Sequence, residues 1–356
     1  MKKEVTTMKM TTKKISLLLC FILIFSAAAP LLSVTAANTV GIKTLEDYIE
    51  LTKNCKNDSW SKGKTVELLN DLDLSNSNFT PIPSFSGTFN GNGYTISGVN
   101  LVNKGSHQGL FRYIQEGGVV ENLNVNGVIT PSGTAKSIGG IAGELSGSVI
   151  NCSFDGNISG KASVGGIAGY VNESGIIKSS RSYGNIVGST YTGGITGQNL
   201  GRIELCENNS AVNTTNTEEE KSIQDLTNIN LEEITNKTEL VDTNTDTGGI
   251  AGYTKGKIIS CKNLADIGYK SIGYNTGGIA GRNAGYIADC ENSGEIRGRK
   301  DIGGICGQAE PYVTLEYSES VIDDIKSTLK DIKGTVNGSI DSEDNSFYDS
   351  LNNINS

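Results

Sequence analysis

Acidic and basic side chains gather toward the C-terminal part of this chain: Asp246, Asp266, Asp289, Glu291 and Glu295, with Arg297, Arg299 and Lys300 beside them. Two carboxylates facing each other across a groove, or a base beside acidic metal ligands, would cleave a polysaccharide by hydrolysis or elimination. No spacing among these residues singles out a pair, and the same residues also describe a solvated face. His107 is the only histidine and lies in a loop-like stretch, Lys104-Gly-Ser-His-Gln-Gly109. No Walker loop and no nucleophile elbow accompany it. The Gly91, Gly93 and Gly98 spacings lack the βαβ setting that a nucleotide site needs. The chain therefore offers no catalytic constellation, no cofactor fingerprint and no metal-ligand spacing.

Two further residue types recur. Cys152, Cys206, Cys261 and Cys290 each fall 13 residues after the start of a glycine phrase described below. Equivalent positions in stacked coils would make a buried column of small, weakly polar side chains. Disulfides between neighbouring coils are the alternative, although regular stacking suits them poorly. Metal binding is a third reading, without a C-x-x-C pair to support it. Tyr170, Tyr191, Tyr253, Tyr269, Tyr274 and Tyr286 recur near the expected corners. Exposed on a long β-surface, Tyr170, Tyr191, Tyr253, Tyr274 and Tyr286 could stack on sugar rings or contact protein. The alternative is a set of tyrosine ladders bracing neighbouring coils.

What would position these groups is a repeat. Gly-Gly-Ile-small-Gly occurs six times, starting at Gly139, Gly165, Gly193, Gly248, Gly277 and Gly303, at intervals of 26, 28, 55, 29 and 26 residues. A fixed period of this length, 45 glycines and short β-branched runs favour parallel β-coils over helical repeats. In this reading glycine supplies positive φ at sharp corners. Ile141, Ile167, Ile195, Ile250, Ile279 and Ile305 form one inward ladder, and Ile158, Ile186, Ile267 and Ile296 another. The long interval reads as a polar insertion over 212–245, either a solvated loop with short helices or a protruding arm.

The flanks read differently. Lys2, Lys3, Lys9, Lys13 and Lys14, an apolar run from Ile15 to Ala29 and Val34-Thr35-Ala36 resemble a secretory signal peptide over residues 1–36, with an uncleaved anchor as the alternative. Without it the chain carries 25 basic and 38 acidic residues, a net of −13 that argues against nucleic acid as a partner. No other stretch is apolar enough to span a bilayer. Residues 38–63 are expected to form a helical cap, with a helix over Thr44–Cys55 showing Leu45, Tyr48, Ile49 and Leu51 on one face. A strand is expected from Val66 to Leu74. After the Pro311 boundary, Ile322, Ile325, Leu329, Ile332 and Val336 give an a/d seam in a C-terminal helical segment, 310–356. That segment would cap the last coil, mediate self-association or begin a longer coiled region, and it shows no wall-sorting motif.

The phrases Gly-Gly-Ile-Ala-Gly-Tyr and Gly-Gly-Ile-Ala-Gly-Arg, each followed by a cysteine segment, resemble the GLUG motif of bacterial surface proteins. The stretch Gly87-Thr-Phe-Asn-Gly-Asn-Gly-Tyr-Thr-Ile-Ser-Gly98 with Gly109-Leu-Phe111 is similar to the opening coils of such proteins, so the resemblance spans roughly residues 40–310. It implies a solenoid that is secreted or exposed at the cell surface. Some relatives join such repeats to an immunoglobulin-cleaving metallopeptidase, but this chain lacks His-Glu-x-x-His, so that activity is not carried over. The expectation is an all-β, right-handed parallel β-helix over 64–309. Its expected role is non-catalytic binding of a protein or glycan ligand, with a polysaccharide lyase or hydrolase, or a fragment of a larger surface protein, as alternatives.

Overall fold

The structure, a computed structural model, describes residues 38–75, 77, 79–214 and 245–310. The expected targeting segment, the helices of the insertion and the C-terminal helical segment lie outside the described residues. The chain divides into two compact units after Glu310. Among the described residues no helix is long and apolar enough to cross a membrane.

The described residues between 38 and 310 wind into a parallel β-solenoid of about 9 turns with three sheets. Within one coil the chain passes through Ala142–Leu145, Ser148–Ile150 and Ser153–Gly165. The corresponding strands stack into sheet 3 (eight strands), sheet 1 (nine) and sheet 2 (twelve). Every strand pair is parallel and register is kept from coil to coil: Ala142 pairs with Ala168, Ala168 with Thr196, Thr196 with Ala251, and Ala251 with Ala280.

A sheet 1 strand, Thr39–Ile42, opens the body, and helix α1 (Leu45–Asn54) follows it, started by a capping box in which Thr44 Oγ1 accepts from Asp47 N and the Asp47 carboxylate accepts from Thr44 N. Its buried face is Tyr48, Leu51 and Thr52. Ile49, expected on that face, is 55% exposed, because the buried stripe runs i, i+3, i+4 from Tyr48. The strand expected over Val66 to Leu74 is two strands, Thr65–Leu68 in sheet 1 and Leu72–Asp73 in sheet 2, with a corner between them.

The inward isoleucines stack as the period implies. Ile141, Ile167, Ile195, Ile250 and Ile279 are fully buried, each worth roughly 2 kcal/mol of apolar burial. Ile305, on the last described coil, is 42% exposed, with no further described coil stacked on it. At the other end Phe85, Phe89 and Phe111 pack with ring centroids 5.4 to 6.2 Å apart.

The glycine phrase works differently from the sequence expectation. Its glycines are not in the left-handed region. Positive φ falls instead on two non-glycine corners per coil: Asn122, Asn151, Ser179, Leu205, Ser260 and Asp289 before the cysteine column, and Ser137, Ser163, Tyr191, Asp246, Asn275 and Asp301 before the phrase. The glycines are needed for close approach. A Cβ on Gly193 would strike the backbone of Thr196 and Ala251, and one on Gly197 would strike the backbone of Ser163.

The cysteines form the expected column without disulfides, and all six described ones are free. Cys206 N donates to Cys261 Sγ and Cys261 N to Cys290 Sγ, both at 3.4 Å, while Cys152 N donates to Ser180 Oγ at 3.2 Å. Ser180 thus continues the column by supplying the same acceptor. Burial pushes the Cys152 thiol up to about 12, which keeps it unreactive at neutral pH. Beside it runs a column the sequence reading missed. Asn208 Nδ2 donates to Asn263 Oδ1 and Asn263 Nδ2 to Asn292 Oδ1, both at 2.7 Å. Each amide also donates to a carbonyl two residues on, so the interior amides satisfy one another. The signal was present, since each asparagine stands two residues after a column cysteine.

The 55-residue interval holds one coil and an insertion. Thr190 pairs directly with Thr245 and Thr196 with Ala251, so the coil before the insertion stacks on the coil after it. At its foot, Asn213 Nδ2 donates to Thr247 Oγ1 at 3.0 Å and Asn213 Oδ1 accepts from Gly188 N at 2.9 Å. Deleting residues 216–244 would leave Asn213, Thr214 and Thr215 joining Val212 to Thr245, the same length as the Ser159-Gly160-Lys161 link before Ala162. That variant is expected to keep the strand circular dichroism signal and the urea midpoint of the parent, because shortening a loop whose ends are already paired costs well under about 1 kcal/mol. Loss of cooperative unfolding would show that the insertion holds the coils together.

Candidate functional site

In sheet 3 three strands read Ala-Gly-x-y, with the alanine and y (Leu145, Val171 and Thr254) buried and x partly exposed. Register therefore aligns the x positions into one row along the solenoid axis: Tyr113, Glu144, Tyr170, Gln198, Tyr253, Arg282 and Gln308. A second row flanks it, made by the positive-φ corners His107, Ser137, Ser163, Tyr191, Asp246 and Asn275. The rows meet because each corner backbone rests against the third glycine of a phrase, as His107 does on Gly143 and Tyr191 on Gly252.

Side chains of the two rows interlock. The His107 and Tyr113 rings stack at 5.1 Å, and His107 Nε2 lies 3.4 Å from Glu144 Oε2. Arg112 donates to the carbonyls of Ser106 and His107 and sits 5.9 Å from the Tyr113 ring. Asp58, Ser84, Arg112, Tyr113, Gln115 and Glu144 line an open cleft of about 430 Å³ at this end. Asn172 Nδ2 holds Glu144 Oε1 at 2.8 Å. Burial, with Glu144 and Glu173 nearby, pushes the Tyr170 phenol above its usual range.

At the other end Tyr191 and Tyr253 lie 5.7 Å apart, and the Arg282 guanidinium is 4.5 Å from the Tyr253 centroid. Arg282 Nε lies 3.2 Å from Asp246 Oδ1, Nη2 donates to Asp246 Oδ2 at 3.3 Å, and Nη1 donates to Glu310 Oε1 at 3.0 Å. Asn275 Nδ2 donates to Asp246 Oδ1 at 2.7 Å. Burial holds the Asp246 carboxyl above the usual carboxylate range, although Asn275 and Arg282 pull it down.

Of the candidate tyrosines, the structure brings Tyr170, Tyr191 and Tyr253 onto this face. Tyr274 stands one residue before the corner, in register with Thr190, Thr245 and Lys300, and Tyr286 is 56% exposed on sheet 1, so neither joins the two rows. No tyrosine ladder runs through Tyr170, whose row neighbours are Glu144 and Gln198. Tyr113 was missed, although it stands four residues after Gly109 as Tyr170 does after Gly166 and Tyr253 after Gly249. Arg282 was missed as well. The carboxylates weighed for catalysis scatter. Asp246 is bound by Arg282, Asp266 and Glu295 share Arg297, and Glu291 pairs with Lys262. Among the described residues no three His, Cys, Asp or Glu side chains converge as a metal site.

Residues 134–159, the coil that carries Ser137, Glu144 and Cys152, match the GLUG motif family. Halomucin of Haloquadratum walsbyi is 28% identical over 143 residues, which is 38% of this chain and 1% of halomucin, so the match spans a very small part of that protein. A crystal structure of a candidate immunoglobulin A1 protease from Bacteroides ovatus aligns over 76% of this chain and 84% of that one, with 17% identity and a TM-score of 0.47. One coil thus matches the GLUG motif and five like phrases stack on it in register, so the chain carries GLUG repeats and resembles GLUG-repeat surface proteins.

Proposed function

We propose that this chain acts outside the cell, secreted or held at its surface, as a non-catalytic solenoid that presents sheet 3 as an extended binding face. One observation carries the reading: Tyr113, Glu144, Tyr170, Gln198, Tyr253 and Arg282 form a single, partly exposed row along the axis. Partly exposed aromatic rings alternating with hydrogen-bonding groups suit a ligand that lies lengthwise on the protein. The acidic balance, −9 over the whole chain, opposes nucleic acid. The resemblance to surface repeat proteins and the halomucin match support an extracellular setting.

The test is to screen the secreted chain and its Tyr170→Ala/Tyr253→Ala variant against arrays of glycans and host matrix proteins. The parent is expected to bind at least one array member, with affinity at least about tenfold lower in the variant, or about 1.4 kcal/mol. Equal binding by both would remove this face from the function. Cleavage of a polysaccharide in the same screen would favour the lyase or hydrolase reading.

A further inference from the structure

The outward row of sheet 3 has a period of its own. Tyr113, Tyr170 and Tyr253 occupy every second rung, while Glu144, Gln198 and Arg282 occupy the rungs between. At the spacing of paired strands the rings therefore recur about every 9.6 Å, with a polar group midway. From this period we infer that the face takes a linear β-1,4-linked polysaccharide lying along the solenoid axis, one sugar ring to each rung.

The inference rests on the binding-face reading and adds the ligand class. In an extended β-1,4-linked chain each ring is turned half a revolution from the last, so the same ring face returns at every second sugar. The ring-to-ring advance of such a chain is close to the spacing of neighbouring strands. Alternate sugars can therefore lay a C–H face on Tyr113, Tyr170 and Tyr253, where weakly positive C–H groups meet the negative face of the aromatic ring. The intervening sugars place hydroxyls over Glu144, Gln198 and Arg282, which between them donate and accept.

Other extended ligands fit the period less well. A peptide strand repeats its side chains on one face about every 6.8 Å and falls out of step with the tyrosines within two of them. A helical peptide needs a continuous apolar groove, and this row puts charged and amide groups between its aromatics. An α-1,4-linked glucan coils away from a straight row after a few sugars.

The rings are also held in place before any ligand arrives. His107 stacks on Tyr113, and Tyr191 and Arg282 brace Tyr253, so little side-chain order is lost on binding. All three tyrosines remain partly exposed.

The test is calorimetric titration of the secreted chain with cello- and chito-oligosaccharides from disaccharide to hexasaccharide, with maltohexaose as the α-linked control. Affinity is expected to climb with each added disaccharide up to the hexasaccharide, and maltohexaose is expected to stay silent. Tyr113→Ala, Tyr170→Ala and Tyr253→Ala should each weaken hexasaccharide binding by about tenfold. Tyr170→Phe, which keeps the ring, should bind like the parent, and so should Tyr286→Ala on sheet 1. Circular dichroism of each variant confirms that its coils are intact. Equal binding of maltohexaose, affinity independent of chain length, or loss in Tyr286→Ala equal to that in Tyr170→Ala would overturn the inference. If no β-1,4-linked probe binds while an array ligand still depends on Tyr170 and Tyr253, the ligand class is wrong and the binding face stands. If no array ligand depends on them, both fail.

Discussion

Gly194→Ala is expected to cost about 3 kcal/mol or more and to uncouple the coils on either side of the insertion, while Gly304→Ala is expected to change stability by less than about 0.5 kcal/mol. The two glycines hold the same second place in their phrases. A Cβ on Gly194 would run into Asn208 Cγ and the Gly249 carbonyl oxygen, well inside van der Waals contact with both. Neither neighbour can yield cheaply. The carbonyl belongs to the next coil, and Asn208 is buried, donating to Asn263 and accepting from Ser182 Oγ at 2.8 Å. Moving Asn208 would break an amide column whose donors have no water to turn to. Gly304 belongs to the last described coil, and a Cβ there meets no atom of the described residues within 4 Å. Because each coil is stabilised by its neighbours alone, a defect at Gly194 should appear as two separated transitions in urea and as fast amide exchange near residues 194–210. Equal urea midpoints for the two variants would show that close approach at the second glycine does not limit stability.

That pair of variants also marks where the sequence could and could not be read. The period announced stacked parallel coils, the inward isoleucines and the cysteine column, because one repeated offset defines each. It could not say why the glycines are there. Glycine serves positive φ and close approach alike, and only the stacked backbone separates the two. The left-handed corners fell instead on Asn151, Ser179, Asp289 and even Leu205 and Tyr191, where tertiary packing overrides the local cost of a side chain. The binding face was half legible. Tyr170 and Tyr253 share an offset of four from a phrase glycine, and Tyr113 shares it in a degenerate phrase. Tyr274 and Tyr286 look similar in sequence but fall outside the two rows, because a coil of 26 to 31 residues carries an outward position on every face. Arg282 shares the tyrosines' offset, four residues after Gly278, so its place in the row was legible but its partner was not. Asp246 stands 36 residues earlier, and only the stacking of one coil on the next puts the two side by side.

Arg282→Ala is the second large effect, and its dependence on pH identifies the cause. The Asp246 side chain is 4% exposed and that of Arg282 is 24% exposed. Removing the guanidinium leaves a buried carboxylate with Asn275 as its neutral side-chain donor, a loss of about 2–4 kcal/mol at pH 7. Burial already holds the Asp246 carboxyl above the ordinary carboxylate value of 3.8. A carboxyl raised in the fold binds its proton more tightly than in the unfolded chain, so its charged form opposes folding at neutral pH. That penalty is relieved as pH falls through the raised folded value toward 3.8. Without Arg282 the carboxyl rises further and the penalty grows. The stability gap between Arg282→Ala and the parent should therefore be widest at pH 7 and should narrow on acidification to about pH 4.5. Asp246→Asn in the Arg282→Ala background removes the buried charge, so the double variant should recover much of the loss and show no such narrowing. Arg282→Lys should fall between, since an ammonium cannot span both carboxylate oxygens and the Tyr253 ring as the planar guanidinium does. Urea midpoints at the two pH values decide the matter. A gap of the same size at pH 7 and pH 4.5 would mean that Arg282 acts through its packing on Tyr253 and Tyr191 rather than by neutralising Asp246.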